Sequence, residues 1–188
     1  MLEETIMAGF GGQGVLMMGK LLAQAAMEED INATWLPSYG PEMRGGTANC
    51  IVVISDDEIG SPVSEQYDTV VVMNQPSLEK FQSKVRPGGT LLINKSIIPI
   101  PTTRDDVEAH YLEANDIAEA EVGSARSANV VMLGALQGLR RLLQPASIEA
   151  AIRDVFESKG QKVVDFNVKA LKAGITAINN VHTAGVPH

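Results

Sequence analysis

Gly9, Gly11, Gly12 and Gly14 fall within six residues of one another, in Ile6-Met-Ala-Gly-Phe-Gly-Gly-Gln-Gly14. Glycine has no Cβ, so the backbone there can turn tightly and come close to a ligand. An apolar run precedes the turn and the helical pattern Val15 to Ala26 follows it. The spacing Gly-x-Gly-x-x-Gly in that setting predicts a strand, a turn and a helix in succession. A helix that starts there points unpaired N–H groups and its positive dipole end at the turn, so the natural guest is a phosphate, a pyrophosphate or a carboxylate. Gln13 is the polar side chain inside the turn. The bland alternative is glycine for strand-to-helix packing alone, but four glycines in six residues exceed what packing needs.

The nicotinamide reading of this turn needs an acid at the end of the second strand to hold ribose hydroxyls. Asp30 has about the right separation in sequence, but it precedes that strand; Leu36, Pro37 and Ser38 stand at its end. A nicotinamide dehydrogenase therefore loses most of its support. A P-loop is excluded because no Gly-Lys-Ser/Thr follows the turn. A second glycine-rich stretch, Tyr39-Gly-Pro-Glu-Met-Arg-Gly-Gly46, follows the second strand. Arg44 is a cation set among flexible residues, and guanidinium suits phosphate bidentately. Arg44, Gly45 and Gly46 join Gly9, Gly11, Gly12, Gln13 and Gly14 as candidate ligand contacts. The alternative for this loop is a solvated Glu42–Arg44 pair.

The elements that must position these residues alternate between short apolar strands and longer helices. Strands are expected at Thr5 to Ala8, Ala33 to Pro37, Ala48 to Ile54, Thr69 to Met73 and Thr90 to Asn94, with a small extra one at His110 to Leu112. Pro37 is expected to end the second strand, and Arg86-Pro-Gly-Gly89 to form a turn before the fifth. Helices are expected from Val15 to about Glu28, over 76–85, over 115–121 as a short acidic helix or loop, and over 128–143. Two more follow at Ile148 to Phe156, with Ser147 as cap, and at Asp165 to Asn179. Alternation of this kind predicts an α/β fold: a single Rossmann-like, three-layer αβα domain with a mostly parallel sheet and right-handed crossovers. The domain is drawn at residues 1–182, with 183–188 a flexible tail. In such a sheet, loops that follow strands gather at one edge, so both glycine segments should flank one crevice.

Composition limits the function classes. The net charge is -8 over 188 residues, which argues against nucleic acid and anionic membrane as partners. No apolar run reaches the roughly 18 residues of a membrane span. The first residues are acidic where a secretory signal would be basic, so a cytoplasmic location is expected. Cys50 is the only cysteine, so the chain can build neither an internal disulfide nor an iron–sulfur cluster. It lies in an apolar strand and reads as a buried, inert thiol. The three histidines are scattered and make no metal site. Trp35 and the Met17–Met18 pair read as core. Asn129 reads as a structural bond near the start of the long helix. The small residues Gly134, Ala135 and Gly138 permit close helix packing, either internally or against a partner.

Taken together, Gly9-Phe-Gly-Gly-Gln-Gly14 and Ser38-Tyr-Gly-Pro-Glu-Met-Arg-Gly-Gly-Thr-Ala-Asn49 resemble the gamma subunit of the 2-oxoacid:ferredoxin oxidoreductases. The variant most similar is the 2-oxoglutarate (or 2-ketoisovalerate) type. Ser127-Ala-Asn-Val-Val-Met-Leu-Gly-Ala135 extends the likeness toward the far end of the chain. The resemblance implies a multisubunit enzyme that oxidatively decarboxylates a 2-oxoacid to an acyl-CoA and reduces ferredoxin. It implies alpha and beta subunits and, in some assemblies, a ferredoxin-like delta subunit; in the isolated chain, apolar surface meant for partners would allow a homodimer. Thiamine diphosphate and iron–sulfur clusters would sit on the partner subunits. Coenzyme A would be held here as a substrate, its pyrophosphate at Gly9, Gly11, Gly12, Gln13 and Gly14, with Arg44, Gly45 and Gly46 as crevice wall or interface. No residue of this chain need act as acid, base or nucleophile. A free-standing nucleotide-binding or regulatory module remains the alternative.

Overall fold

A computed structural model of the chain describes residues 1–39, 46–61 and 63–184. Its centre is β1 (Leu2–Phe10), flanked by β3 (Thr47–Ser55) and β4 (Tyr67–Val72). With β2 (Asn32–Tyr39), β5 (Val85–Asn94) and β6 (Glu108–Leu112) they form a six-stranded sheet in the order β2-β3-β1-β4-β5-β6. β1, β4, β5 and β6 pair in parallel. The exception is β3, which runs antiparallel to β1 and to β2, aligning Met7, Cys50 and Pro37 across the three strands. The sheet is thus mostly parallel, as expected, but the consecutive strands β2 and β3 pair side by side and antiparallel. Ile51-Val-Val-Ile54 and Val70-Val-Val72 explain the central strands: β-branched side chains suit a pleated surface packed on both faces.

Pro37 does not end β2, which continues to Tyr39. β2 is an edge strand, where a residue without an N–H is tolerated. Arg86-Pro-Gly-Gly89 is not a turn ahead of β5 but an irregularity inside it. Tyr67 aligns with Val85 while Thr69 aligns with Thr90, and Gly88 takes φ 74. The extra residues are absorbed as a bulge.

The helices divide between the two faces. α1 (Val15–Glu28) leaves β1 on one face, where Met18, Leu21 and Leu22 share a core with Met7 and Val71. α2 (Gln75–Phe81) leaves β4 on the other, packing Leu78 and Phe81 against Ile6, Ala8, Val70 and Val72. α3 (Ala114–Val122), α4 (Ala128–Arg140), α5 (Pro145–Phe156) and α6 (Gln161–Ala184) join the core on the α1 side. α6 runs well beyond both ends of the helix read from the sequence. Ser147 does not cap α5. Its N–H bonds the Gln144 carbonyl at 3.0 Å, and Pro145 supplies the helical φ at the first position instead.

The acidic start of the chain is not a solvated tail. Glu3 is 3% exposed. It accepts from Arg140 at 2.6 Å and from the Thr69 hydroxyl at 2.6 Å. Glu4 pairs with Arg86 at 2.5 Å, and the same guanidinium holds Asp68 at 2.6 Å. These pairs lie at the N-terminal end of β1, opposite the glycine turn.

Candidate functional site

β1 runs straight into the glycine turn, and two of its glycines take backbone conformations that L side chains rarely adopt: Gly12 at φ 96 and Gly14 at φ 75. A Cβ on Gly12 would meet nothing within 4 Å, so that residue faces open space. A Cβ on Gly14 would fall 2.3 Å from Asn129 Nδ2, and on Gly9 within 3.0 Å of Gln13, Val15 and Met73. Gly9 and Gly14 therefore serve close packing, while Gly12 leaves the turn accessible. The packing alternative weighed for the whole turn holds for part of it.

Gln13 holds the turn in place. Its Oε1 accepts from the Phe10 N–H at 2.7 Å and from Asn74 Nδ2 at 2.7 Å, and its Nε2 donates to the Met73 carbonyl at 3.1 Å. Asn74 in turn caps α2, accepting the Ser77 N–H at 2.9 Å. One side chain thereby ties the end of β1 to the end of β4 and the start of α2. Asn129 donates to the Gly14 carbonyl at 3.2 Å, fixing the start of α4 against the start of α1. It is the structural bond expected of it, although it reaches the turn and not its own helix.

The two glycine segments meet. The Gly11 N–H donates to the Gly46 carbonyl at 2.9 Å, so Gly46, just before β3, lies beside the turn after β1. Arg44 and Gly45 lie outside the described residues. β1 leads through α1 toward β2 on one side, and β4 leads through α2 toward β5 on the other, with the two helices on opposite faces. This is the point where an open α/β sheet parts into a crevice at the carboxyl ends of its strands. α1 begins at Gly14 with no side-chain cap and no acid in its first turn. α4 likewise begins with neither. The first N–H groups and the positive dipole end of α1 thus face the turn, beside the start of α4, whose Ala128 N–H bonds the Ala125 carbonyl.

A cavity of about 210 Å³ opens there, lined by Gly12, Gln13, Met73, Ile97, Asn115, Ala125, Arg126 and Ala128. Larger grooves run between α3 and α6 (about 480 Å³) and between α1 and β2 (about 730 Å³). Neither lies at the carboxyl ends of the strands, where main-chain donors converge. Asn115 and Arg126 are the residues sequence reading missed. In the sequence Asn115 belongs to a short acidic helix or loop, and Arg126 sits one residue before the Ser127 to Ala135 motif. Their joint presence at the turn depends on how α3 and α4 fold back over the sheet.

Cys50 is buried beneath α1, where its thiol donates to the Val15 carbonyl at 3.3 Å. Burial pushes the thiol up to about 12, so it is neither nucleophile nor ligand. Among the described residues no cluster of His, Cys, Asp and Glu is placed to hold a metal ion, and no helix is long and apolar enough to cross a membrane.

Fold and crevice together define a Rossmann-like α/β domain with a glycine turn at its topological switch point. The chain belongs to the pyruvate ferredoxin/flavodoxin oxidoreductase family, whose model matches residues 4–177. It is 45% identical over 168 residues to the ketoisovalerate oxidoreductase subunit VorA of Methanothermobacter marburgensis, covering 89% of this chain and 34% of that protein. It is 35% identical over 156 residues to the 2-oxoglutarate synthase subunit KorC of Methanocaldococcus jannaschii, covering 82% of this chain and 83% of that one. The chain therefore spans about a third of VorA but most of KorC. Its fold is similar to the keto/oxoacid ferredoxin oxidoreductase gamma subunit of Geobacter sulfurreducens PCA, with a TM-score of 0.81 and 27% identity, covering 95% of this chain and 99% of that one.

Proposed function

We propose that this chain is the gamma subunit of a 2-oxoacid:ferredoxin oxidoreductase and that it holds coenzyme A for the acyl transfer. The observation that carries the reading is the crevice at the switch point. An accessible glycine turn and the uncapped start of α1 meet the second glycine segment there, through Gly11 and Gly46. A pyrophosphate is the guest such a turn suits. Coenzyme A carries one and makes no demand for a ribose-binding acid at the end of β2. The relatives named as subunits of ketoisovalerate and 2-oxoglutarate enzymes support the oxidoreductase setting.

In this reading the chain contributes position. Anchoring the pyrophosphate leaves the thiol arm of coenzyme A free to reach the acyl group on a partner subunit, replacing a bimolecular encounter with an oriented one. Gly9, Gly11, Gly12 and Gly14 shape the cradle, Gln13 fixes it, and Gly46 closes its rim; Arg44 and Gly45 belong to the same loop. The iron–sulfur clusters belong to partner subunits, since one buried cysteine cannot ligate a cluster, and thiamine diphosphate is assigned to the alpha and beta partners. The 2-oxoacid is proposed to be 2-oxoglutarate, its selection made on the partner subunits, and the complex works in the cytoplasm.

The test uses the assembled complex. Gly12→Val places a β-branched side chain at φ 96 on the open side of the turn. It is expected to raise the KM for coenzyme A at least tenfold while decarboxylation in the absence of coenzyme A persists. Arg44→Ala should shift the same parameter in the same direction. An unchanged KM in both variants removes the coenzyme A role. Acyl-CoA formed from 2-ketoisovalerate in preference to 2-oxoglutarate corrects the substrate and leaves that role standing.

A further inference from the structure

The sheet ends in β6 on one side and in β2 on the other, and the two edges are built differently. β6 has five residues, Glu-Ala-His-Tyr-Leu, with a charge at its start. β2 has eight, Asn-Ala-Thr-Trp-Leu-Pro-Ser-Tyr, and none is charged, in a chain of which 20% is. Edge strands are ordinarily kept from pairing with other chains by being short, charged or bent by a bulge. β2 has only Pro37 to do this, and its register against β3 runs unbroken from Asn32 to Tyr39. Apolar side chains stand open along it. Leu36 and Tyr39 are 42% and 60% exposed, and Met27, in the last turn of α1, is 68% exposed. The groove of about 730 Å³ between α1 and β2 is walled by Ala23, Met27, Ala33 and Trp35. Its two ends differ in charge. Gly19 lies against the Trp35 ring, which puts the exposed Lys20 at the Trp35 end. The exposed Glu28 and Asp30 lead into β2 at the other, the Ala33 end.

We infer that β2 is the seam of a twofold dimer, in which the β2 edges of two copies of this chain pair antiparallel and continue the sheet. Pro37 sets the register. A proline fits a paired strand where its missing N–H points away from the neighbour. Main-chain groups alternate in direction along an antiparallel strand, so Ala33, Trp35 and Tyr39 face the open edge with it. A register that sets Pro37 opposite Ala33 or Trp35 loses a donor. The register that keeps both of those residues fully bonded centres on Thr34. Ala33 and Trp35 of one copy then exchange hydrogen bonds with Trp35 and Ala33 of the other. These two residues are also the strand's share of the groove wall. An axis through Thr34 therefore passes between them and exchanges the ends of the groove. Lys20 of each copy turns toward Glu28 and Asp30 of the other, and the α1 helices lie side by side and antiparallel, covering Met27. The edge is thus complementary to itself in charge and in main-chain bonding, as an isologous interface must be. An unrelated strand can use an open ladder, but the opposite charges at the two ends of the groove single out a second copy. The cavity at the glycine turn shares no residue with this groove, so dimerisation here is independent of coenzyme A.

The experiment is sedimentation velocity of the full-length chain over a concentration series, joined to oxidative cross-linking of cysteine variants. The parent is expected to dimerise as concentration rises. Lys20→Glu and Glu28→Lys should each raise the dimer Kd by about tenfold, since each puts like charges at both symmetry-related contacts. The two substitutions together should recover most of the loss, because they exchange the charges and keep the pattern. Thr34→Cys should give a disulfide-linked dimer under mild oxidation. A residue on the axis faces its own copy with about 4.5 Å between Cα atoms, within reach of a disulfide. Leu36→Cys, displaced from the axis, should not link, and the buried Cys50 takes no part. Circular dichroism melts check that each variant stays folded. A parent that is monomeric at every concentration overturns the inference. So does a dimer indifferent to both charge reversals, or one that Leu36→Cys links and Thr34→Cys does not. In the assembled oxidoreductase, Thr34→Cys linked to a larger subunit and not to its own copy assigns the edge to that subunit and ends the inference.

Discussion

Gln13 occupies the most connected position at the glycine turn, with three hydrogen bonds that join Phe10, Met73 and Asn74. Its side chain acts inward, on the protein, and its place among the ligand candidates is that of a residue which sets the shape of the cradle. Gln13→Ala removes these bonds and leaves the Phe10 N–H and the Met73 carbonyl to find new partners. A loss of about 1–3 kcal/mol is expected, the cost of leaving part-buried polar groups unsatisfied. Denaturant unfolding measures that loss, and weaker coenzyme A binding should accompany it. A variant as stable as the parent would show that the turn holds its form without this pin. That a glutamine stood inside a glycine turn was plain from the sequence. Which way its amide faced was not, because two of its three partners, Met73 and Asn74, lie 60 and 61 residues away, just past the end of β4.

At the scale of elements, α4 and α6 cross so closely that glycine is required on both. A Cβ on Gly134 would lie 2.1 Å from the Leu171 carbonyl oxygen, and one on Gly174 would lie 2.0 Å from that of Val131. The small residues of α4 were open to either internal or partner packing when read as sequence; the internal role is the one they have. Gly174→Ala sets two effects against each other. Alanine is intrinsically better in a helix by about 1 kcal/mol. The new methyl, however, meets backbone that cannot turn aside, and overpacking costs about 1–3 kcal/mol. The clash wins, so a net destabilisation is expected, read as a lower Tm than that of the parent. An equal or higher Tm would mean that the helices can part without loss. Because α4 also carries Asn129 and borders Arg126, any shift of this crossing should reach the cavity.

At the scale of the whole molecule, the sheet buries Cys50 where α1, β2 and β3 meet, and the thiol reports on global integrity. Its ordinary value of 9.0 is pushed up to about 12, chiefly by burial, which the neighbouring Trp35 and Gly19 partly offset. Below pH 9 both folded and unfolded chains keep the proton, and this group's contribution is fully present. Between 9 and 12 only the unfolded thiol releases it, so the unfolded state binds fewer protons and stability falls as pH rises. A thiol reagent at pH 8 should therefore modify the native chain at the rate of its opening and the denatured chain at once. Equal rates would place Cys50 at the surface. The sequence by itself determined the class of fold, because apolar strands alternating with helical patterns can bury themselves only as a sheet with helices on its faces. It also determined that a glycine turn precedes α1, since local spacing and backbone freedom fix that. The reversed direction of β3, the bulge in β5, the buried pairing of Glu3 with Arg140 and the arrival of Asn115 and Arg126 at the turn were decided by tertiary structure alone. Each depends on contacts between residues far apart in the chain, and no local propensity encodes which distant partner closes a ladder, neutralises a carboxylate or completes a cavity.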